Sequence, residues 1–357
     1  MRHRLTLLAT LSVLIGVGVV PWLSAQEQAT LPAQARQTLR LLAIQHNGRH
    51  KAFDSFAHET LQLISGSSRI NGLDPVDALC DIMANPESWQ QQPLVSVPFI
   101  PLREPLGMDR HATHISYNDV VASRKLMRLL PPIAQKQQRE EKLTIQEEET
   151  MDAFQRFVAL SNLLEQRLEL VPPPPGTVSR TWFSLQELSA YSADRQAAIH
   201  EAWNGLLSAI RVRDAGTIQT LSQQAITVFG QLNPAAYPAR WRLQLEVFYN
   251  HAVPFQAARA IYVLAAIALM IGMRLGRARL VPWGLGLVWV AFGVHAAGIA
   301  MRVLIGGRPP VSNFYETTLW LPFVGVLIAL IFERVYRVRY FALAASMLAA
   351  IMLILAD

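Results

Sequence analysis

One histidine and one arginine in an otherwise apolar run are the residues of this chain whose types and spacing suit chemistry. His295 and Arg302 lie seven residues apart in the stretch VHAAGIAMRVLIG. At 100° per residue, positions 295, 298, 299 and 302 share one face of a helix. An imidazole can ligate a metal ion, and a guanidinium can pair with a carboxylate. The two side chains together therefore match an amphipathic ligand that carries both a metal ion and a carboxylate. The alternatives are a neutral histidine bonded to a neighbouring helix and an arginine that reaches the headgroups.

The polar loop RPPVSNFYE follows this run. The helix should end at the Gly306-Gly307 doublet, because the two adjacent prolines that follow cannot continue a helix. The aromatic residues of the loop suit the wet edge of a membrane. The loop could shape the mouth of a site or merely fold a helical hairpin, and its candidate site residues are Arg308, Asn313, Tyr315 and Glu316.

This stretch resembles the CcsA/ResC family of system II cytochrome c biogenesis proteins. That family has a His, then an Arg, then a Gly-(Arg/His)-x-Pro-x-Ser-Asn-x-Tyr-Glu loop, and the matching residues are His295, Arg302, Gly307, Arg308, Pro310, Ser312, Asn313, Tyr315 and Glu316. The resemblance extends backward through LEVFYNHAVPF to HNGRHKAFDSFAHE, which look like the extended versions with a large extracytoplasmic domain. The tryptophan-rich (WWD) segment of the family is absent, so we expect a truncated product or one part of a split synthase, inactive alone.

The resemblance implies that the chain handles haem b in the membrane and presents it at the outer face for covalent attachment to apocytochrome c. The partners that it implies are apocytochrome c and the remaining synthase parts, which are ResB-like and tryptophan-rich CcsA parts. On this interpretation His295 ligates the iron and Arg302 pairs with a propionate. Two alternatives stay open. One is a membrane-anchored scaffold whose outer domain docks partner proteins, and the other is a small-solute transporter, which the lack of an internal repeat weakens.

Composition favours a membrane protein over a soluble enzyme. Hydrophobic residues make up 52% of the chain and charged residues 16%, and the apolar runs lie at the two ends. The formal net charge is +6, but the arginines cluster next to the predicted membrane spans. We therefore attribute the positive charge to the orientation of the spans in the membrane and predict no nucleic-acid partner. Patterns typical of hydrolases, metalloproteases, ATPases and dinucleotide-binding enzymes do not occur in the sequence.

The apolar runs divide the chain into three parts. Residues 1–25 predict a signal peptide or, because Leu23-Ser24-Ala25 is a poor cleavage triplet, an uncleaved anchor. We predict that residues 26–255 form a domain on the periplasmic side of a bacterial inner membrane. Residues 256–357 predict four transmembrane helices, with apolar runs at roughly 258–273, 281–304, 318–332 and 340–356. Two arginine clusters predict cytoplasmic connections, and they are Arg274, Arg277, Arg279 and Arg334, Arg337, Arg339.

The outer domain is predicted to be mainly α, with a small β-hairpin region. Asn47-Gly48 predicts the hairpin turn, flanked by exposed histidines, and Asp54 or Ser55 predicts the start of a helix that ends near Gly66. Asp74-Pro75 predicts the start of another helix. The remaining expectations are irregular strands in LVSVPFIPL, helix over 117–170, a polyproline hinge at 172–175, amphipathic helices in 181–210 and 218–232, and a buried Cys80.

Overall fold

The computed structural model describes residues 31–177, 180–277, 279–307, 309 and 314–356. The predicted N-terminal anchor therefore lies outside the described residues, as do the predicted site residues Arg308 and Asn313. The described chain is mainly α, with apolar helices of membrane-spanning length, as the sequence predicts. We call residues 31–252 the N-terminal domain and the helices that follow Val253 the membrane bundle.

Short and medium helices build most of the N-terminal domain. In its described part they are α1 Ala33–Arg40, α2 Phe53–Ser65, α3 Pro75–Ala84, α4 Pro86–Gln90, α5 Ile100–Leu106, α6 Tyr117–Ser123, α7 Lys125–Gln138, α8 Ile145–Leu164, α9 Ala193–Val212, α10 Ala215–Leu232 and α11 Arg240–Ala252. Their apolar faces enclose one large core, in which Cys80 lies fully packed, as predicted. Burial raises the pKa of the Cys80 thiol, so this group is an inert core side chain.

Two small antiparallel pairs complete the N-terminal domain. Strand β1 Ala43–His46 pairs with β2 Arg49–Ala52, and β3 Pro93–Ser96 pairs with β4 His114–Ser116. Asn47 and Gly48 both have positive φ angles, 52° and 72°, as the predicted two-residue hairpin turn requires. The LVSVPFIPL segment is a strand only in its first half. Residues 97–99 belong to no regular element, and α5 begins at Ile100 with Pro101 in its first turn, where the missing N–H costs nothing.

Local signals placed several helix ends correctly and one start incorrectly. The Asp74 carboxylate accepts a hydrogen bond from the Val76 N–H at 3.1 Å, and α2 ends at Gly66 with φ 74°. However, α2 begins at Phe53 directly after β2, so neither Asp54 nor Ser55 caps it. The side chain of Asp54 instead points inward, is fully buried, and lies 3.2 Å from the Arg40 guanidinium.

The region from 117 to 192 differs from the predictions in two places. The helical stretch is interrupted, because Arg124 adopts a left-handed conformation between α6 and α7, and α8 starts anew at a capping box formed by Thr144. Residues 181–192 form turns, so the next helix begins only at Ala193. The polyproline segment is partly buried and held by Asn233, whose side-chain amide donates to the Pro173 carbonyl at 2.8 Å.

The membrane bundle contains α12 Pro254–Arg274, α13 Leu280–Gly306, α14 Phe314–Tyr336 and α15 Tyr340–Leu355. Among the described residues, three helical stretches are long and apolar enough to cross a membrane: Arg240–Arg274, Leu280–Gly306 and Phe314–Tyr336. The fourth apolar helix, α15, has 16 residues and is shorter, about 24 Å at 1.5 Å per residue. The predicted helix end at the glycine doublet is confirmed, since α13 ends at Gly306 and Gly307 is left-handed.

The N-terminal domain sits on one end of the membrane bundle. The Arg242 guanidinium on α11 donates to the Leu304 carbonyl near the end of α13, at 3.3 Å. Because α12 leads away from the domain and α13 returns to it, Arg274 at the end of α12 and Arg279 just before α13 lie at the far end. The connection at 337–339 lies at that end too, because α14 begins beside the domain end of α13 and runs back. Both arginine clusters therefore share the end of the bundle opposite the domain.

Candidate functional site

The His295 imidazole is fully buried on α13 and bonds to the neighbouring helix α14. Its Nε2 lies 3.0 Å from the backbone carbonyl oxygen of Leu319. A carbonyl can only accept, so Nε2 carries the proton and Nδ1 keeps its lone pair. Nδ1 has no hydrogen-bond partner within the described part of the chain. Nδ1 is therefore the nitrogen that could bind a metal, since no group of the described residues pairs with it.

Aromatic rings surround the His295 imidazole on three sides. The ring centres of Phe255, Phe323 and Tyr262 lie 5.6, 5.7 and 6.1 Å away, each with its plane steeply inclined to the imidazole. The Tyr262 hydroxyl is also buried, and it has no hydrogen-bond partner among the described residues. This aromatic cage thus holds two unpaired polar atoms in an apolar interior, where such atoms are costly. Because the His295 side chain is fully buried, a ligand can reach Nδ1 only after a local rearrangement.

Arg302 lies two turns beyond His295, where α13 approaches the N-terminal domain. Its Nη1 donates to the Tyr249 hydroxyl at 3.3 Å, and its Nη2 lies 3.5 Å from the Glu316 carboxylate. The guanidinium carbon lies 4.8 Å from the centre of the Tyr315 ring, a cation–π distance. The structure therefore brings three predicted site residues together, Arg302, Tyr315 and Glu316, and adds Tyr249.

A polar cavity of about 690 Å³, which we call the rim pocket, opens beside Arg302. The hairpin, α11 and the facing ends of α13 and α14 line it, with Gly48, Arg49, His50, Lys51, Glu59, Arg242, Glu246, Tyr249, Asn250, Arg302 and Glu316 among the lining residues. His295 does not line this cavity. Of the two residues that the sequence predicts to contact a ligand, Arg302 therefore lines the rim pocket and His295 does not.

The charges of the rim pocket leave a positive excess. Lys51 pairs with Glu59, Arg49 lies 3.3 Å from Glu246, and Arg302 lies 3.5 Å from Glu316. Arg242 forms no ion pair in the described part of the chain. Its guanidinium donates only to a backbone carbonyl and lies near the Trp241 ring. Among the described lining residues, four cations against three carboxylates give one net positive charge, which suits an anionic ligand.

A second cavity, of about 590 Å³, adjoins the rim pocket; we call it the proline pocket. It shares His50, Arg242, Glu246 and Ile305 with the rim pocket and adds apolar walls formed by Pro173, Pro175, Trp182, Tyr237 and Leu243. The rim pocket thus offers mainly charged groups, whereas the proline pocket offers apolar surface together with Arg180, Arg242 and Glu246. A ligand with a flat apolar body and anionic substituents matches this combination.

His50 stands at the boundary of the two cavities. Its ring lies on Trp182, with centroids 5.0 Å apart, and burial lowers the pKa of the imidazole, with a smaller contribution from Arg242. The backbone N–H of Trp182 donates to the Gln45 side-chain oxygen at 2.7 Å, so the Gln45 amide nitrogen faces His50 Nε2 at 3.3 Å. His50 Nε2 is therefore the acceptor nitrogen of a neutral ring, and a long hydrogen bond occupies it.

Sequence reasoning missed most of the rim pocket. The histidines His46 and His50 were expected only to flank a turn, and neither Arg49 and Lys51 nor α11 was considered as part of a wall. The residues of α11 that line the pocket do follow a helical period, at positions 242, 246, 249 and 250. That period could have identified one polar face in WRLQLEVFYN. It could not have shown that this face meets the hairpin.

The described chain has helices of membrane-spanning length next to a helical domain, and a polar cavity lies where the two meet. This arrangement defines the class as a mainly-α polytopic membrane protein. No family model matches the chain. The chain is similar to protein NrfI of Wolinella succinogenes, with 26% identity over 321 residues that cover 85% of this chain and 34% of NrfI. It thus spans about a third of the length of that relative. The similarity supports a relation to cytochrome c biogenesis proteins.

Proposed function

We propose that the protein takes part in cytochrome c maturation and holds its substrate, haem b, where the N-terminal domain meets the membrane bundle. The observation that carries this proposal is the position of Arg302, which faces a cavity with a net positive charge beside an apolar one. Guanidinium groups pair with carboxylates through two parallel hydrogen bonds, so Arg302 and Arg242 suit the two propionates. The apolar walls of the proline pocket suit the macrocycle.

The imidazoles of His295 and His50 lie at different depths, and we propose that they ligate the haem iron one after the other. His295 lies inside the bundle, about 10 Å along the helix axis from Arg302, and offers Nδ1 once the cage rearranges. His50 lies at the rim and offers Nε2 once its long bond to Gln45 breaks. We assign His295 to haem within the membrane and His50 to haem presented at the rim, with Arg302 between the two levels. Tyr315 and Glu316 form the mouth of the site. We also assign haem contact to the loop residues Arg308 and Asn313, which lie outside the described residues.

The orientation of the bundle supports presentation at the outer face of a bacterial inner membrane. Both arginine clusters share the end away from the N-terminal domain, and positively charged connections stay in the cytoplasm. The domain and the rim pocket are then periplasmic. Apocytochrome c is the partner that receives haem there, and ResB-like and tryptophan-rich CcsA parts are further partners. Membrane lipid surrounds the bundle.

The test is haem binding by the purified, detergent-solubilised protein, followed by absorbance of the oxidised and reduced forms. We expect a haem spectrum in the parent and lower haem occupancy in Arg302→Ala and Arg242→Ala. Arg69→Ala is the matched control, because this arginine is exposed on the N-terminal domain and away from both cavities. Absence of haem from the parent, or equal occupancy in Arg302→Ala and Arg69→Ala, would overturn the proposal.

A further inference from the structure

We propose that His58 and His251 form a binding site for a divalent transition-metal ion, with Cu(II) bound most tightly. The site lies where α2 meets α11, on the surface of the N-terminal domain just before the chain enters the membrane bundle at Pro254. It is separate from the proposed haem site, since neither histidine lines the rim pocket or the proline pocket.

Tertiary packing brings the two histidines together from distant parts of the chain. The centres of their rings lie 6.1 Å apart, with planes inclined at 85°. Asn250, which precedes His251, donates to the Ser55 hydroxyl at 2.8 Å and to the Asp54 carboxylate at 3.2 Å. These hydrogen bonds hold α11 against α2 and so set the spacing of the two imidazoles.

Each imidazole is oriented in the way that metal ligands require. His58 Nδ1 lies 2.9 Å from the Asp54 carbonyl oxygen, and His251 Nδ1 lies 2.8 Å from the Val247 carbonyl oxygen. Because a carbonyl only accepts, Nδ1 of each neutral ring carries the proton and Nε2 bears the lone pair. A ring whose other N–H donates to a carbonyl or carboxylate is the usual form of a metal-bound histidine. The rings are 36% and 43% exposed, so an ion can reach them from solvent.

The buried carboxylate of Asp54 lies behind both rings. Its Oδ2 is 3.9 Å from His58 Nδ1 and 3.8 Å from His251 Nδ1, and the side chain is fully inaccessible to solvent. Its Oδ1 faces Arg40 Nε at 3.2 Å. A carboxylate on the Nδ1 side raises the basicity of the opposite nitrogen and favours a bound cation. One buried group thus serves two candidate ligands.

The spacing is compatible with one shared ion. Metal–imidazole bonds of about 2.0–2.1 Å place the centres of two rings on one ion roughly 4.5–6.4 Å apart, depending on the N–metal–N angle, and the observed 6.1 Å corresponds to a wide angle. Within the described residues no cluster of three or more His, Cys, Asp or Glu side chains is arranged to hold a metal, so water must complete the coordination. Imidazole suits copper, zinc and nickel, and Cu(II) binds such donors most tightly among the divalent ions.

The experiment is a Cu(II) titration of the full-length, tag-free protein in detergent, freed of haem, with electron paramagnetic resonance to detect bound imidazole nitrogens. We expect one Cu(II) per chain with nitrogen hyperfine coupling. His58→Gln and His251→Gln should each weaken binding at least about tenfold. His111→Gln, which removes an exposed histidine elsewhere on the domain, should not weaken it. Zn(II) should compete more weakly than Cu(II).

Three outcomes would overturn the metal site. They are a parent spectrum without imidazole nitrogens, an unchanged affinity in the double variant His58→Gln/His251→Gln, and an equal loss in His111→Gln. Circular dichroism of each variant shows whether α2 and α11 stay folded. Because the parent spectrum is independent of any substitution, an unfolded variant does not leave the question open.

Discussion

The Nε2 atom of His295 lies 3.0 Å from the backbone carbonyl oxygen of Leu319, so a single side chain links α13 to α14 inside the membrane bundle. The same ring packs against Phe255, Tyr262 and Phe323. His295 therefore joins two helices and also carries the unpaired nitrogen of the aromatic cage. A substitution at this position must affect stability, and the predictions below separate that effect from haem ligation.

Replacing His295 by Ala removes the hydrogen bond to Leu319 and leaves a cavity inside the cage. We expect a loss of about 3 kcal/mol in the free energy of unfolding, by analogy with truncation of large core side chains. We also expect lower haem content, partly restored by added imidazole, which can fill the vacant coordination position. Thermal unfolding in detergent and haem absorbance measure the two effects. If imidazole restores nothing while the folded variant keeps its full haem content, His295 is a packing residue only.

Replacing Arg302 by Lys should reduce haem occupancy less than replacing it by Ala. Lysine keeps the positive charge that faces the rim pocket but loses the planar fork that binds a carboxylate through two hydrogen bonds. The lysine variant also loses the geometry of the contacts with Tyr249 and Glu316. Haem titrations of the parent, Arg302→Lys and Arg302→Ala measure the haem occupancy of each protein. Equal occupancy in all three proteins would remove the guanidinium from the proposed site.

Acidification should destabilise the N-terminal domain through His46 and His50. Burial is the main cause that lowers the pKa of both imidazoles below the ordinary value of about 6.5. The unfolded chain then binds these protons more readily than the folded one, so stability is full above the ordinary pKa and falls as the pH drops below it. Melting temperatures at pH 7.5 and 5.5 should differ less in His46→Gln/His50→Gln than in the parent.

Introducing a methyl group at Gly298 should disturb the aromatic cage. A Cβ atom there would lie 2.9 Å from the Phe255 ring, which must shift, whereas a Cβ at Gly293 on the same helix would meet nothing within 4 Å. Overpacking of this kind costs about 1–3 kcal/mol. We expect Gly298→Ala to lower the melting temperature and Gly293→Ala to leave it nearly unchanged. Equal melting temperatures of the two variants would show that the Phe255 ring moves aside without a measurable loss of stability.

Membrane topology should follow the arginine clusters. Reporter fusions after Gly276 and Val338 are expected to report the cytoplasm, and a fusion after Asp357 is expected to report the periplasm. The positions after Gly276 and Val338 lie in the connections at the end of the bundle opposite the N-terminal domain. A periplasmic signal after Gly276 would invert the bundle and place the rim pocket in the cytoplasm.

The sequence by itself determined the local elements of this protein. The turn at Asn47-Gly48, the helix that starts after Asp74 and the end of α13 at Gly306 each follow from backbone preferences of neighbouring residues. The apolar runs likewise predicted the helices of the bundle, because a span needs only length and composition. These features depend on contacts within a few residues, and such contacts can be inferred from a pattern along the chain.

Only the tertiary structure decided which side chains meet. The rim pocket joins Arg49 to Glu246 and Arg302 to Tyr249, and the metal site joins His58 to His251, all from segments far apart in the chain. Periodicity placed His295 and Arg302 on one helical face, yet it could not show that aromatic rings close over one and a cavity opens beside the other. That difference depends on how α11 and the hairpin pack against the end of the bundle, because packing between distant segments leaves no periodic signal in either segment alone.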